Sequence, residues 1–396
     1  MADARAPERG AAPATISAPG PTAPISPSAI AAAASPSAAL PATSSAPVPA
    51  PEPAAYARQL VASLCSLDVT NSPPAPEKAA EWRQNLQKLL EQGAAAVPAI
   101  REFLARNIEA NFGPNGAATL GYASARAALL DALAQIGGPE ATAATFQALQ
   151  AATDPRELAV LAQNLDKLAP EQFREQAVLS ARQLLAVADA GALGEKDVAP
   201  LFEVLDKYGG AGVAEELQQV GARWRYYAAI ALAQLPDGSG IPSLIRMAQP
   251  QEGSTIGSRD PALRMLAQLS SQYPDAREAL LEQARQNTIP TVTWAAIAPI
   301  LAGDQVGFLS AVYDATLSSA DKNGLKTTHV AAGNQNFYSL PVPANLSTDQ
   351  VNLRLDLIQQ LLPLAADPTA VQALKNCSDL LRQRLSQSAA APMPGS

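Results

Sequence analysis

The sequence predicts an all-α protein, an α-solenoid of stacked antiparallel helix pairs that follows a Pro/Ala-rich leader. Apolar helical stretches alternate with tight polar turns, and the turns recur roughly every 30 to 40 residues, as in helical repeat arrays. Alanine, a strong helix former, is prominent in the 48% apolar share. Aromatic residues, which strands favour, make up only 5%. The recurring turns lie around Gly137, Ala169, Gly209, Asp237, Pro274, Gly303 and Asp367.

The first 54 residues consist almost entirely of Ala, Pro, Ser and Thr, with a proline every few positions. Proline removes backbone donors, and such a segment buries too little apolar area to offset its ordering entropy. We therefore expect a disordered leader over residues 1–54 that acts as a spacer. A disordered tail is expected over residues 387–396.

Helical order is predicted to begin at Tyr56, because Leu60 and Leu64 share one helix face. A second helix is expected over residues 77–91. The helical repeats are predicted to occupy residues 55–317, and C-terminal helices over residues 348–386 are expected to cap the array.

Asp-Pro pairs predict the first residues of several helices, since aspartate accepts hydrogen bonds at an N-cap and proline suits the first helical position. Glu157 is placed to complete a capping box with the aspartate of one pair. The pairs are Asp154-Pro155, Asp260-Pro261 and Asp367-Pro368.

Two segments, residues 226–233 and 294–298, are apolar on every side of the predicted helix. A helix without a polar face must be surrounded by protein. We expect both segments in the middle of the array, and we expect Pro299 to kink or end the second helix. The glycine-rich residues 108–122 are expected to form an irregular connection between repeats.

Three segments share an apolar-Pro start: Val97-Pro98-Ala99-Ile100, Ala199-Pro200-Leu201-Phe202 and Ile241-Pro242-Ser243-Leu244. They resemble the second helix of HEAT-like repeats of the short, phycobilisome lyase-like type, and residues 227–248 match best. The resemblance implies an α-solenoid that binds proteins, and it carries over no catalytic residue. The chain departs from this pattern in irregular spacing and in lacking an arginine at a fixed place of each repeat. Tetratricopeptide repeats are the nearest competing class, but their Trp, Gly and Tyr spacing is not met.

A polar insert over residues 318–347 interrupts the repeats and contains the single histidine of the chain. Long loops within compact arrays are often functional, and amide and aromatic side chains together make adaptable contact surfaces. The alternative is a surface insertion that binds nothing. The candidate partner-binding residues are His329, Asn334, Asn336, Phe337 and Tyr338.

Charge and composition argue against several other classes. The net charge is −8, and the only basic-aromatic run is residues 223–227 (RWRYY), whose rings we expect to pack on a neighbouring repeat. We therefore expect no nucleic-acid partner. With one histidine and no C-x-x-C pair we expect no metal and no cofactor, and Cys65 and Cys377 should be buried free thiols.

These observations predict a non-catalytic scaffold for protein–protein interaction, with protein partners and no bound cofactor. Two alternatives remain: a structural or accessory protein of the cell envelope carried on the Pro/Ala-rich segment, and a lyase-like cofactor-handling enzyme. No signal peptide and no stretch of 18 apolar residues is present, which predicts a cytoplasmic protein without membrane insertion. An incomplete N-terminus would favour the envelope instead.

Overall fold

The structure is a computed structural model that describes residues 53–67, 74–108, 110–194, 196–251, 256–310, 325–330, 338–340 and 346–390. The predicted leader lies outside these ranges except for its last two residues, and so do the last six residues of the predicted tail. The description below concerns the unit formed by residues 51–396.

The described residues form seventeen α-helices and three short strands. Short 3-10 helices occupy Gly93–Ala96, Gly210–Val213 and Pro236–Gly238. In chain order the elements are α1 (Pro53–Cys65), α2 (Pro76–Glu91), α3 (Val97–Ala105), α4 (Gly113–Leu120), α5 (Ala125–Ile136), α6 (Gly138–Ala151), α7 (Pro155–Leu168), α8 (Arg174–Asp189), α9 (Ala199–Tyr208), α10 (Ala214–Val220), α11 (Arg225–Gln234), α12 (Ile241–Ala248), α13 (Ile256–Leu269), α14 (Pro274–Arg285), α15 (Thr291–Leu301), β1 (Gln305–Ser310), β2 (Leu325–Val330), β3 (Tyr338–Ser339), α16 (Thr348–Leu361) and α17 (Pro368–Ala390).

Alternate helices pack against one another along the chain. Helices α5, α7, α9, α11, α13, α15 and α17 form a continuous row in which each contacts the next. Helices α10, α12, α14 and α16 form a second row in the same way. Neighbours in sequence, such as α10 with α11 and α12 with α13, link the two rows. The described chain is thus predominantly helical, in agreement with the predicted all-α class.

A small antiparallel sheet, which the sequence did not predict, separates α15 from α16. Its strand order is β2-β1-β3, with Gln305 opposite Val330 and Phe308 opposite Tyr338. The predicted repeat region (55–317) therefore loses its helices at Leu301, and two strands lie inside the predicted insert (318–347). Gly303 turns the chain after α15 at a φ of 105°, which side chains disfavour.

Helix α11 is enclosed on every side, as predicted. All residues from Tyr227 to Ala233 are at most 8% exposed. Helix α15 is also largely buried. Of the two expected effects of Pro299, a kink or an end of the helix, the end does not occur at Pro299, since the helix continues to Leu301. Pro299 leaves only the carbonyl of Ala295 without its helical donor, and Ala295 lies on the exposed side where water can replace that donor.

Two of the three predicted Asp-Pro helix starts are confirmed. Asp154 Oδ1 accepts hydrogen bonds from the backbone amides of the first turn of α7, and Asp367 Oδ1 does the same for α17 at 2.8 and 3.1 Å. The third is wrong, because α13 already begins at Ile256 and Pro261 lies inside it. Asp260 instead forms an ion pair within that helix, with Arg264 at 2.6 Å.

The predicted capping box at Asp154 lacks its second half because Glu157 is engaged elsewhere. The carboxylate of Glu157 accepts two hydrogen bonds of 2.7 Å from Arg126, which is 4% exposed. Arg126 also donates to the Leu104 carbonyl at 3.0 Å, so one guanidinium joins α3, α5 and α7. A buried charge of this kind is retained only when it is paired and hydrogen-bonded.

Two buried arginines stand at equivalent places of the array. Arg126 and Arg259 each stand seven residues before the leucine of a Leu-Ala-Gln tripeptide. Each donates to a carbonyl near the end of an earlier helix, Arg259 to Ala248 at 2.6 Å. Both carbonyls lie at the C-terminal end of a helix, where the arginines act as side-chain caps; the Leu104 carbonyl also accepts from the backbone amide of Asn107 at 3.1 Å.

Three further expectations need correction. Residues 108–122 contain α4, because Pro114 favours its first turn and Gly121, at a φ of 84°, ends it. Helix α17 extends to Ala390, four residues into the predicted tail, since no helix breaker occurs before Pro392. The three apolar-Pro segments do not share one row: α9 lies between α7 and α11, whereas α12 lies in the second row.

The aromatic side chains of the predicted run at residues 223–227 pack inward, as expected. Trp224 is 8% exposed and donates from Nε1 to Asp189 Oδ1 at 2.6 Å, at the end of α8. Tyr227 is 2% exposed and stacks on Phe202 of α9, with ring centroids 5.3 Å apart. These rings therefore join α11 to the preceding helices.

Candidate functional site

A cleft of about 430 Å³ opens between α7, α9, α11 and β3. Its size lies within the range of roughly 300–1,000 Å³ that is typical of ligand pockets. Most of its described lining is polar or charged. The lining includes Gln163, Glu203, Asp206, Lys207, Gln234 and Tyr338.

Asp206 is the central polar group of this cleft and is 9% exposed. Its Oδ2 accepts a hydrogen bond from the Tyr338 hydroxyl at 3.0 Å and another from Gln234 Nε2 at 3.2 Å. Burial raises the pKa of the Asp206 carboxyl well above its ordinary value; the bond from Tyr338 opposes this shift, and the charge of Glu203 adds to it. The carboxyl thus holds the strand to α9 and α11.

Glu203 lies one turn before Asp206 on α9, at the mouth of the cleft. Its side chain reaches solvent, but the protein around it displaces water from one side of the carboxylate. This desolvation, together with the charge of Asp197, raises the pKa of Glu203. Lys207 lies close enough to both carboxyls to oppose their shifts.

Aromatic rings close the inner end of the cleft. Tyr338 lies against Tyr227 with ring centroids 6.0 Å apart, and Tyr227 stacks in turn on Phe202. The Tyr227 hydroxyl donates to Asp197 Oδ1 at 3.1 Å. Burial raises the pKa of both tyrosines, so each hydroxyl remains a donor at neutral pH.

A second cleft, of about 340 Å³, lies on the other side of Gln234. Leu340 lines it, and the carbonyl of Leu340 accepts a hydrogen bond of 2.9 Å from Gln268 Nε2. Gln268 belongs to α13 and is 4% exposed. Other polar residues of this lining include Asp237, Gln272, Tyr273, Gln350 and Arg354.

A repeated tripeptide, Leu-Ala-Gln, supplies three of the glutamines that line the clefts. It occurs at residues 161–163 in α7, 232–234 in α11 and 266–268 in α13. Gln163 and Gln234 line the first cleft, and Gln234 and Gln268 line the second. We call the surface that carries these three side chains the glutamine face.

The predicted partner-binding residues are only partly placed by the structure. Tyr338 is 8% exposed and lies inside the cleft, where its contacts are with Asp206 and Tyr227 of the same chain. The backbone of His329 lies in β2 opposite Val306. Asn334, Asn336 and Phe337 lie outside the described residues.

Sequence reasoning missed Asp206, Gln234 and Gln268. Asp206 was not detectable, since it meets Tyr338 across 132 residues of sequence. The glutamines did carry a signal, because the same tripeptide recurs at corresponding places of α11 and α13. A search for polar residues repeated within apolar helices would have found them.

Other reactive groups lie apart from the clefts. Cys65 and Cys377 are both free, and burial raises the pKa of their thiols to about 11 and about 12. Among the described residues no set of three or more His, Cys, Asp or Glu side chains is arranged to hold a metal ion. Within the same ranges, no helix combines the length and apolar character needed to cross a membrane.

Comparison with known proteins identifies no relative: no protein-family model matches the chain, and no curated protein matches it significantly.

Proposed function

We propose that this protein is a non-catalytic scaffold for protein–protein interaction, built on a HEAT-like α-solenoid. The row of alternate helices from α5 to α17 supports the solenoid arrangement, because each member packs on the next. The burial of residues 227–233 in α11 also supports it, since the middle helix of an array is covered on both flanks.

The observation that carries the proposed binding role is the glutamine face. It combines two adjacent clefts with amide side chains that both donate and accept hydrogen bonds. Gln163 is exposed there, and an extended piece of the chain already rests on Gln234 and Gln268. This face is suited to holding polypeptide.

Binding fits the chemistry of the first cleft better than catalysis does. The more buried carboxyl, Asp206, is held by hydrogen bonds from Tyr338 and Gln234. An acid–base catalyst must instead present its carboxyl to a substrate. The protein would therefore act by holding a partner, with no bound cofactor.

The full chain, tagged and purified from its own cells, tests this proposal. We expect it to retain a protein partner in near-equimolar amount, as measured by quantitative mass spectrometry. Gln163→Arg should abolish this retention because it places a long charged side chain over the exposed part of the glutamine face. Leu179→Arg is the matched control, since Leu179 is 53% exposed on α8 and does not line either cleft.

Two results would contradict the scaffold role. One is the absence of any near-equimolar protein partner under conditions in which the tagged chain is folded and abundant. The other is a partner that Gln163→Arg leaves in place and Leu179→Arg removes, which would place the interface on α8.

A further inference from the structure

The segment from Tyr338 to Leu340 lies on the glutamine face in the way that a bound peptide would. All three residues are at most 9% exposed. Tyr338 donates to Asp206 at 3.0 Å, and Gln268 donates to the Leu340 carbonyl at 2.9 Å. One contact therefore recognises a side chain and the other recognises the backbone.

Main-chain pairing holds this segment from one side only. Strand β3 pairs with β1, so it forms one edge of the three-stranded sheet. The segment also contacts the side chains of Asp206 in α9, Tyr227 in α11 and Gln268 in α13. The helices thus contact an extended backbone, a phenol and an aliphatic side chain.

We propose that the glutamine face binds an extended segment of a partner protein that carries a tyrosine and, two residues later, an aliphatic residue. Residues 338–340 occupy this groove in cis and compete with that partner. The inference rests on the scaffold function proposed above and specifies the chemistry of its partner.

The requirement for an extended segment follows from the two contacts at Tyr338 and Leu340. Successive side chains of an extended chain point to opposite sides, so residues two apart meet the same surface. A glutamine amide that binds a backbone carbonyl is indifferent to sequence and holds the segment in register. Main-chain hydrogen bonds supply affinity in this mode of recognition, and side-chain pockets supply specificity.

The requirement for tyrosine follows from Asp206. Its buried Oδ2 accepts from the phenol and from Gln234. A ligand without a hydroxyl would leave this carboxyl with one donor fewer in a desolvated site, and sites built around a buried hydrogen bond discriminate strongly against such ligands. The ring of Tyr227 provides the flat apolar wall for the incoming tyrosine.

Two clefts adjoin residues 338–340. The clefts of about 430 and 340 Å³ flank the segment and share Gln234. Gln163 and Lys207 line the first cleft, and Gln272 lines the second. A partner segment of more than three residues therefore finds hydrogen-bonding side chains on both sides of the positions that Tyr338 and Leu340 fill.

The test uses the full chain with Tyr338→Ala, which empties the tyrosine pocket. The probe is a fluorescein-labelled peptide with the sequence of residues 335–343, QNFYSLPVP. Fluorescence anisotropy should show saturable binding to the variant, at least about tenfold tighter than to the intact chain, in which the pocket is occupied. Circular dichroism checks that the variant is folded.

Paired controls separate this groove from non-specific binding. Replacing the peptide tyrosine by phenylalanine should weaken binding to Tyr338→Ala by about tenfold or more, since a hydrogen bond to the buried carboxyl of Asp206 is lost. Adding Gln268→Ala to the receptor should weaken it as well. Adding Gln135→Ala should not, because Gln135 occupies the same place of the tripeptide in α5 and lines neither cleft.

A second variant covers the case in which Tyr338→Ala does not fold. Tyr338→Phe keeps the ring and removes only the hydroxyl, so the peptide should still bind it more tightly than it binds the intact chain. A random peptide library selected on the folded variant should enrich tyrosine followed, two positions later, by leucine, isoleucine or valine.

Three results would overturn the inference. The first is that the peptide does not bind a folded variant. The second is that binding does not change when the peptide tyrosine or Gln268 is replaced. The third is that the intact chain forms a dimer that the peptide dissociates. The last would assign the groove to a second copy. If the peptide does not bind but the chain retains a near-equimolar partner that Gln163→Arg removes, the scaffold function is supported and only the proposed partner chemistry is wrong.

Discussion

Helices α5 and α13 contain the same tripeptide, Leu-Ala-Gln, and use it differently. The leucine is fully buried in both, at Leu133 and Leu266. Gln135 is exposed and donates to Asp131 of its own helix at 2.8 Å, whereas Gln268 is buried and holds the carbonyl of Leu340. The leucine therefore contributes to the core of the array in both helices. The role of the glutamine depends on whether another segment of the chain covers it.

The difference between these regions depends on β3. The strand covers the glutamine face at α11 and α13, and α5 carries no such cover from the described strands. The repeated glutamine therefore belongs to the candidate binding site only in helices whose glutamine lines a cleft beside the extended segment. Substitutions at equivalent positions in the covered and uncovered regions test this difference.

The largest effect is expected where the two regions are alike. Leu133→Ala and Leu266→Ala should each lower the free energy of unfolding by about 2–5 kcal/mol, because both remove a fully buried side chain and leave a cavity. Urea unfolding followed by circular dichroism measures both. A loss below about 1 kcal/mol at either site, the size of a tolerated core swap, would show that the site relaxes into the space.

The next effect compares two tyrosine–aspartate pairs. Tyr338→Phe should lower the free energy of unfolding by about 1.5–3 kcal/mol, since it removes a buried hydrogen bond to a carboxyl. Tyr122→Phe should cost about 0.5–1.5 kcal/mol, because the bond from Tyr122 to Asp131 is only partly buried. Equal losses in urea unfolding would contradict a special role for the Tyr338 contact.

Much of the helical framework could be predicted from the sequence, because helices are coded locally. The apolar spacing at Leu60 and Leu64 predicted α1, and the uniform apolarity of residues 226–233 predicted the enclosure of α11. The helix start predicted at Asp260 was wrong because Pro261 also fits inside a helix, as it does in α13. An Asp-Pro pair indicates a helix start only when no helical turn precedes it.

The candidate site could be predicted only in part, because its contacts join distant residues. Tyr338 was identified from composition as a possible partner contact, yet its burial depends on Asp206, which lies 132 residues away. Gln268 meets Leu340 across 72 residues. Neither separation leaves a local pattern, whereas the repeated tripeptide does.

A smaller effect should appear as a change in pH dependence at the covered region. The folded-state pKa of Asp206 is raised, so the folded chain binds a proton that the unfolded chain has released above about pH 4. Stability from this group is therefore lost as pH rises from about 4 through the raised pKa. Asp206→Asn removes the titration and keeps an acceptor for Tyr338.

The Asp206→Asn variant should accordingly gain in melting temperature relative to the intact chain as pH rises from about 4 towards neutral. Glu203 and Lys207 face the same carboxyl and remain in both proteins. Melting curves across this range measure the difference. A constant offset at every pH would mean that Asp206 does not titrate differently in the folded state.

The smallest effect isolates the glutamine itself. Gln268→Ala should lower the free energy of unfolding by about 1 kcal/mol, because the carbonyl of Leu340 loses its donor. Gln135→Ala should change it by no more than about 0.5 kcal/mol, since Gln135 is exposed and its bond lies within one helix. Hydrogen exchange measured by mass spectrometry gives a second readout, because loosening of residues 338–340 should raise exchange in that segment for Gln268→Ala alone. If both substitutions lower the free energy of unfolding equally and neither alters exchange in residues 338–340, then Asp206 and the sheet hold β3. In that case the amide of Gln268 contributes no more to stability than that of Gln135.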